Sequence, residues 1–568
     1  MPFKKIWLYI RTVRHLSIRQ VCYQAIRRLG LGVRPWTTPV ACRFVRPVVR
    51  IPPLSRWQAD IPVAMFSHSY RFLNRQAQIK DEVTDRVDWE YAAEGGLWLD
   101  NLHYLRYWDA LGPKLSLEEE GQLLLWLQDW VEHLSHVPRS KALHPPYNAS
   151  ERAYSLGRFL LTHAPLANVE LDRLVQLVIA RDLNYVAAQL EFHLGGNHLL
   201  KNLMSLAWGI CLFEGDDAKR WQGVLDRELE QELRRQILAD GFHYERSPMY
   251  HNIALLDLLD VINVVPDGPA RDRLVTLARA MIAATKVVTH ADGEIAFFND
   301  CALDTCPRSA DIIEYGETLC GRADRPAILP DAGLYAYAAG EHIQGVAKFG
   351  SLGADEQMGH VHSDLFSFEM SVKGRMLILN SGTSTYYDQP FRDYERSGPA
   401  HNTVVLPGYL QCQHWSSFRV AARTSPVYVR FESSEGEGVM LSGEVELFGA
   451  APRPRFARRL QAYPSGTLVI VDTLTASRSV ACSHFHLDPD VRIVAADEER
   501  RQVFLELSDG QRIALKYSGG RLAIEDCLVS RYFNSRRPSK RLVISGWNGI
   551  AVPSTLEVRF ELVHENSH

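Results

Sequence analysis

The hydrophobic pattern of this 568-residue chain changes period once, and that change limits the architecture more than any other feature. Between about residues 85 and 325 the apolar side chains recur at helical spacing, as in Leu123, Leu124, Trp126, Leu127, Trp130 and Val131, then Leu171, Leu174, Leu177 and Val178. Residues three and four apart share one helix face, so these runs predict amphipathic helices. Two more are predicted around Leu199, Leu200, Leu203, Met204, Ala207 and Trp208, and around Ile253, Leu255, Leu256, Leu258, Leu259 and Ile262, with short polar links such as EGDD and PDGP. Short links imply antiparallel neighbours. From about Gly333 the period becomes two, as in Phe366, Phe368, Met370 and Val372, and later Leu556, Val558, Phe560 and Leu562. Runs such as TLVIVDTL with the turn signals PSG and SDG, and no helical pattern between them, predict an antiparallel sandwich rather than βαβ units. Three regions follow: residues 1–80, a helical extension and a proline-containing linker from Pro35 to Pro62; residues 81–328, a helical array; and residues 329–568, a β-sandwich.

Composition removes several function classes. With 63 Lys and Arg against 67 Asp and Glu the net charge is −4, too balanced for a nucleic-acid coat. No run reaches the ~20 apolar residues a membrane helix needs. The nine cysteines form no CxxC pair, against both a zinc-thiolate site and a disulfide framework, and reduced thiols are expected. The N-terminal stretch MPFKKIWLYIRTVRHLSIRQ is basic, but arginines interrupt it before an apolar signal region forms. No secretory signal is read from it. The expected compartment is the cytoplasm, with the periplasm or secretion by another route as the alternative. The same stretch, with Ile6, Leu8, Ile10, Val13 and Leu16 among Lys and Arg, is an amphipathic helix candidate. Packing on its own domain is expected over contact with a membrane surface.

Four polar clusters interrupt the apolar patterns. Gly195-Gly196-Asn197-His198 precedes the Leu199 helix, with Asn197 a candidate N-cap. Asp240 to His251 is dense in ionisable groups and ends in Ser247-Pro248, a cap followed by an early helix residue, which puts Tyr250 and His251 in a first turn. In Gly359-His360-Val361-His362-Ser363-Asp364, alternate residues of an extended segment point to one side, so His360, His362 and Asp364 are candidates to share one proton or metal. Arg392 to Asn402 offers His401 as a further nitrogen ligand.

Together these stretches resemble the heparinase II/III-like family of polysaccharide lyases. The matching segments are GGNHLLKNLMSLAWG, LADGFHYERSPMYH, ADGEIAFFND, GHVHSDLFSFEMSVKGRMLILNSGT and RSGPAHNTVVL, in that order, with WLDNLHYLRYW near residue 100. The resemblance implies an incomplete α/α toroid followed by an antiparallel β-sandwich. It implies cleavage of uronic-acid-containing glycosaminoglycans, such as hyaluronan, chondroitin sulfate and heparan sulfate, by β-elimination to 4,5-unsaturated uronates. The alternatives are an alginate or exopolysaccharide lyase acting on the cell's own polysaccharide, or a glycan-binding protein without catalysis.

By the same resemblance Asn197 and His198 neutralise the uronate carboxylate, and Tyr250 acts as acid and, for one C5 epimer, base. Phenolate at neutral pH needs nearby cations, and Arg246 stands one turn earlier if that segment is helical. His360 is the remaining catalytic imidazole. A divalent metal, Zn or Mn with a structural role, is implied on His362 and His401, but Asn380 stands where the pattern has an Asp. Asn101 and His103 are expected to line the cleft, with Glu245 beside them, and Arg152, Lys201, Arg246 and Arg396 are the expected cations for an anionic polysaccharide.

Overall fold

The computed structural model describes residues 2–29, 36–56, 65–80, 86–136, 145–163, 165–475, 479–547 and 554–563. Two short helices, α1 (Pro2–Val13) and α2 (Ile18–Arg28), come first, and α3 (Gly96–Tyr104) and α4 (Leu117–His136) lead into the main array. The array continues with α5 (Pro146–His163), α6 (Val169–Ala188), α7 (Gly196–Leu212), α8 (Asp216–Gln236), α9 (Pro248–Val264), α10 (Pro269–Val287) and α11 (Ser309–Cys320). The pairs α5–α6, α7–α8, α9–α10 and α10–α11 pack as neighbours, while α5, α7 and α9 also pack side by side. Every residue of α9 is buried, whereas α8 buries only one stripe, including Trp221, Val224 and Leu225. A helix buried on every side belongs inside and one buried along a single stripe outside, so α5, α7 and α9, whose polar residues such as Asp257 are paired within the array, form an inner layer and α6, α8 and α10 an outer one. This is the arc of an incomplete α/α toroid.

Strands follow from Ile328 onward. An eight-stranded antiparallel sheet faces a five-stranded meander and a four-stranded sheet, which meet edge to edge at the Ile378–Leu487 bridge. The alternation is visible in Ser554–Leu562, where Leu556, Val558 and Phe560 are buried in one core with Phe368, Met370 and Phe456. Phe366, expected in a strand, instead adopts φ 60° ahead of the strand Phe368–Val372. Within the expected irregular linker, Cys42–Phe44 forms a short strand with Phe213–Gly215 at the end of α7, and residues 30–35 and 57–64 lie outside the described residues. All nine cysteines are free thiols. No helix among the described residues is long and apolar enough to cross a membrane.

Candidate active site

A cleft of about 1620 Å³ separates the helical array from the β-domain, and Asn101, Asn197, His198, Tyr250 and His360 all line it. The first of its walls is the N-terminus of α7. Gly195 and Gly196 have φ of 66° and 56°, and a Cβ on Gly196 would come within 2.3 Å of Glu245 Oε1. That close approach requires glycine and lets Glu245 Oε1 accept the Asn197 backbone N–H at 2.7 Å. The Asn197 side chain is therefore not the N-cap expected of it, a position Gly195 takes; its amide donates to both Glu245 oxygens at 3.1 and 3.2 Å. His198 follows, with Nδ1 3.4 Å from Glu191 Oε1 and its ring 4.7 Å from that of Tyr147. Burial disfavours its charged form, but Glu191, with Glu245 and Asp100 behind it, holds its pKa above the usual value.

The second wall is the start of α9. Ser247 caps it, accepting the Tyr250 N–H at 3.2 Å, and Pro248 is the first helical residue as its sequence predicts. Arg246 is not one helical turn before Tyr250: it sits at φ 55°, and its guanidinium donates to the Asp331 carbonyl. The cation expected to favour phenolate is thus turned away. Burial first, then the neighbouring Tyr386 hydroxyl at 3.0 Å, pushes the Tyr250 phenol up from its usual range. Its ring lies 4.0 Å from that of His360.

Asp300 organises the opposite side. Its fully buried carboxylate accepts from His360 Nδ1 at 2.7 Å and His362 Nε2 at 2.8 Å, and takes both ends of the Arg392 guanidinium. Burial alone would raise its pKa, but Arg392 and the two imidazoles hold it well below the carboxylate range. With Nδ1–H donated to Asp300, His360 presents Nε2 toward Asn197 Nδ2 at 3.5 Å and Glu245 Oε2 at 3.6 Å. The His360 to Asp364 segment is a loop rather than an extended strand, so Asp364 does not join the histidines: it pairs with Lys348 Nζ at 2.6 Å. Asp300, Tyr386, Arg392 and Glu191 were not singled out by sequence reasoning. Asp300 stands in the ADGEIAFFND stretch, but nothing local to it announces partners 60 and 92 residues away.

Several expected substrate contacts are structural instead. Arg152 is fully buried and bidentate to Asp182 at 2.7 and 3.0 Å. Lys201 is buried between Glu151 and Asp257, both at 2.7 Å. Arg396 is buried and donates to the Val361, Ser416 and Ser417 carbonyls, bracing the loop beneath His360. His103 is buried between Trp89 and Trp130 and leaves the cleft to Asn101. Each is a cation or imidazole that a buried partner claims, because an unpaired charge in the interior is far costlier than a paired one. The arginines that do line the cleft include Arg27, Arg28, Arg106 and Arg419.

At the expected metal position, His362 Nδ1 and His401 Nε2 are buried without hydrogen-bond partners, and the two rings lie 5.2 Å apart. Burial lowers their pKa values to about 4 and about 3, leaving the neutral imidazoles that ligate metals. Asn380 Oδ1 lies 3.1 Å from His401 Nδ1 and also accepts from Ser367 Oγ at 2.7 Å. Among the described residues no three His, Cys, Asp or Glu side chains are grouped to hold a metal. The candidate donors are two open imidazole nitrogens and a neutral amide oxygen that lies on the Nδ1 side of His401 rather than at its open Nε2.

Comparisons with known proteins agree with this layout. The heparinase II/III N-terminus family matches residues 54–306, and the heparinase II/III-like C-terminal family matches residues 322–557. A heparin-sulfate lyase of Pedobacter heparinus is 24% identical over 240 residues, covering 37% of this chain and 36% of that protein. The match thus spans about a third of that relative's length. A solved heparinase III structure superposes with a TM-score of 0.69 at 15% identity, over 96% of this chain and 92% of that one. A heparan sulfate lyase structure from Pedobacter heparinus gives 0.56 at 16% identity, over 89% and 82%. At such identities these likenesses establish the shared fold.

Proposed function

The chain belongs to the heparinase II/III-like family of polysaccharide lyases, and on that premise we propose that it cleaves uronic-acid-containing glycosaminoglycans, namely hyaluronan, chondroitin sulfate or heparan sulfate, by β-elimination. The observation that carries this reading is the meeting of Tyr250 and His360 in the cleft, with Asn197 3.5 Å from His360 Nε2. A binding protein has no need of such a proton-transfer set.

The reaction breaks the C5–H and C4–O bonds and forms a C4=C5 double bond. The C5 proton is weakly acidic because the adjacent carboxylate is negative, so charge must be neutralised there as the enolate develops. His198, held toward its protonated form by Glu191, supplies that charge, with Asn197 fixed beside it by Glu245. His360 Nε2, its tautomer set by Asp300, takes the C5 proton. Tyr250 gives its proton to the departing oxygen, a role suited to a phenol that burial keeps protonated. For the opposite C5 epimer the neutral form of His198 takes the C5 proton from the other face, and Tyr250 remains the acid. His362 Nδ1 and His401 Nε2 would hold a divalent ion, Zn or Mn, joined by Asn380 once its oxygen leaves His401 Nδ1, and the ion would supply a structural brace for the loop carrying His360.

Incubation with hyaluronan, chondroitin sulfate, heparan sulfate and alginate in turn tests the reading through the ultraviolet absorbance of the conjugated unsaturated uronate. A rise with one of the three glycosaminoglycans supports it. A rise with alginate alone moves the substrate to the runner-up, and new reducing ends without the chromophore mean hydrolysis and overturn elimination.

A further inference from the structure

We propose that the outward face of α1 and α2 docks this protein on an anionic lipid surface. Residues 2–28, which form α1 and α2, contain seven Lys and Arg and no Asp or Glu, whereas the remainder holds 56 basic against 67 acidic side chains. A chain of net charge −4 thus concentrates positive charge at one end.

That end is folded, not a loose tail. On α1, Thr12 Oγ1 donates to the Val420 carbonyl at 3.1 Å, accepts from Trp415 Nε1 at 3.0 Å, and Tyr9 packs on Trp415 at 4.7 Å. On α2, the buried Gln20 donates to the Leu194 carbonyl of the helical array at 3.4 Å and to the Glu356 carbonyl of the β-domain at 3.2 Å. Arg19 pairs with Glu228 at 2.8 Å. The helix pair therefore bridges both domains, and its inner face, with Tyr9, Thr12, Val13 and Leu16, forms part of the cleft wall.

The other face is apolar and open. Trp7 is 61% exposed, Ile10 55% and Ile18 84%, with Ile6 also exposed, and the cations Lys5 and Arg14 stand among them. A helix that only packs on its own domain turns its apolar stripe inward and its charges outward. Here the packing face leaves a tryptophan and several isoleucines outside. Aliphatic and indole side chains ringed by Lys and Arg match the boundary of an anionic bilayer, where the rings and chains enter the acyl margin and the cations meet phosphate and carboxylate headgroups. An anionic glycan would use the cations but has no complement for the isoleucines, and Trp7, Ile10 and Ile18 are not among the cleft-lining residues. Docking this way places the cleft beside the lipid surface.

Flotation of the full chain with vesicles of phosphatidylcholine, alone or mixed with phosphatidylserine, tests the inference independently of the lyase reading. The protein is expected to float with the mixed vesicles and not with the neutral ones, and less at high salt. The combined variant Trp7→Glu, Ile10→Glu and Ile18→Glu should reduce the bound fraction by about tenfold or more, while keeping the thermal melting and catalytic turnover of the parent. If that variant melts early, Ile10→Ser with Ile18→Ser provides the same comparison on a folded protein. Absence of flotation with mixed vesicles overturns the proposal. So does equal flotation of parent and folded variant, or a variant effect confined to KM for the polysaccharide, which would assign the segment to glycan binding.

Discussion

The hydroxyl of Tyr250, in the first turn of α9, lies 3.0 Å from the hydroxyl of Tyr386, which the β-domain contributes. Two phenols on separate domains meet only when the cleft is assembled. Arg392, 4.9 Å over the Tyr386 ring, ties this pair to the Asp300 carboxylate. Removing the proposed acid, Tyr250→Phe, should reduce kcat by roughly 100-fold or more with an unchanged melting temperature. Tyr386→Phe should have a smaller effect, because it orients the acid without touching the leaving oxygen. Retained turnover in Tyr250→Phe removes Tyr250 from the mechanism.

Asp300→Asn should be both unstable and inactive. The substitution leaves the buried Arg392 without its carboxylate and frees the tautomer of His360. Loss of one partner of a buried pair costs about 3–5 kcal/mol, readable as a lowered urea midpoint. Wild-type stability together with wild-type kcat would contradict the central position given to this carboxylate.

The pH dependence of the reaction should rest on Glu191. In the folded protein His198 binds its proton more tightly than in the unfolded chain, whose ordinary value is 6.5. Its contribution to stability is therefore complete below about that value and lost as pH rises through the higher folded value. Activity that needs the imidazolium falls on the same alkaline limb. Glu191→Gln removes the largest raising influence, so the limb of the kcat/KM profile should move to lower pH. A profile identical to that of the parent would show that His198 does not act as a cation.

Chelator treatment should lower the melting temperature and release a divalent metal detectable by elemental analysis. Asn380→Asp puts a charged oxygen beside His401, at its Nδ1 side, and should bind the metal more tightly if that oxygen turns to the open nitrogens of His362 and His401. An unchanged melting curve with no metal found in either protein would remove the site.

How much of this was legible in the sequence depends on how local each property is. A helix face or a strand face is a matter of spacing within one segment, so α7, α9 and the strand Ser554–Leu562 follow from the order of apolar residues alone. Capping by Ser247 ahead of Pro248 is equally local. The resemblance carried by the GGNH, HYERSPMY and GHVHSD stretches named Asn197, His198, Tyr250 and His360, all of which line the cleft. The fate of the charged residues was decided elsewhere. Arg152, Lys201 and Arg396 look like Arg27 and Arg28 in one dimension, yet packing buries the first three against partners and leaves the others exposed on the cleft. Asp300 gains its role only when His360, His362 and Arg392 arrive from distant parts of the chain. Periodicity determines which face is apolar, because that depends on near neighbours in the backbone. Whether a charge meets solvent, substrate or a buried counter-charge depends on long-range packing, and only the tertiary structure decides it.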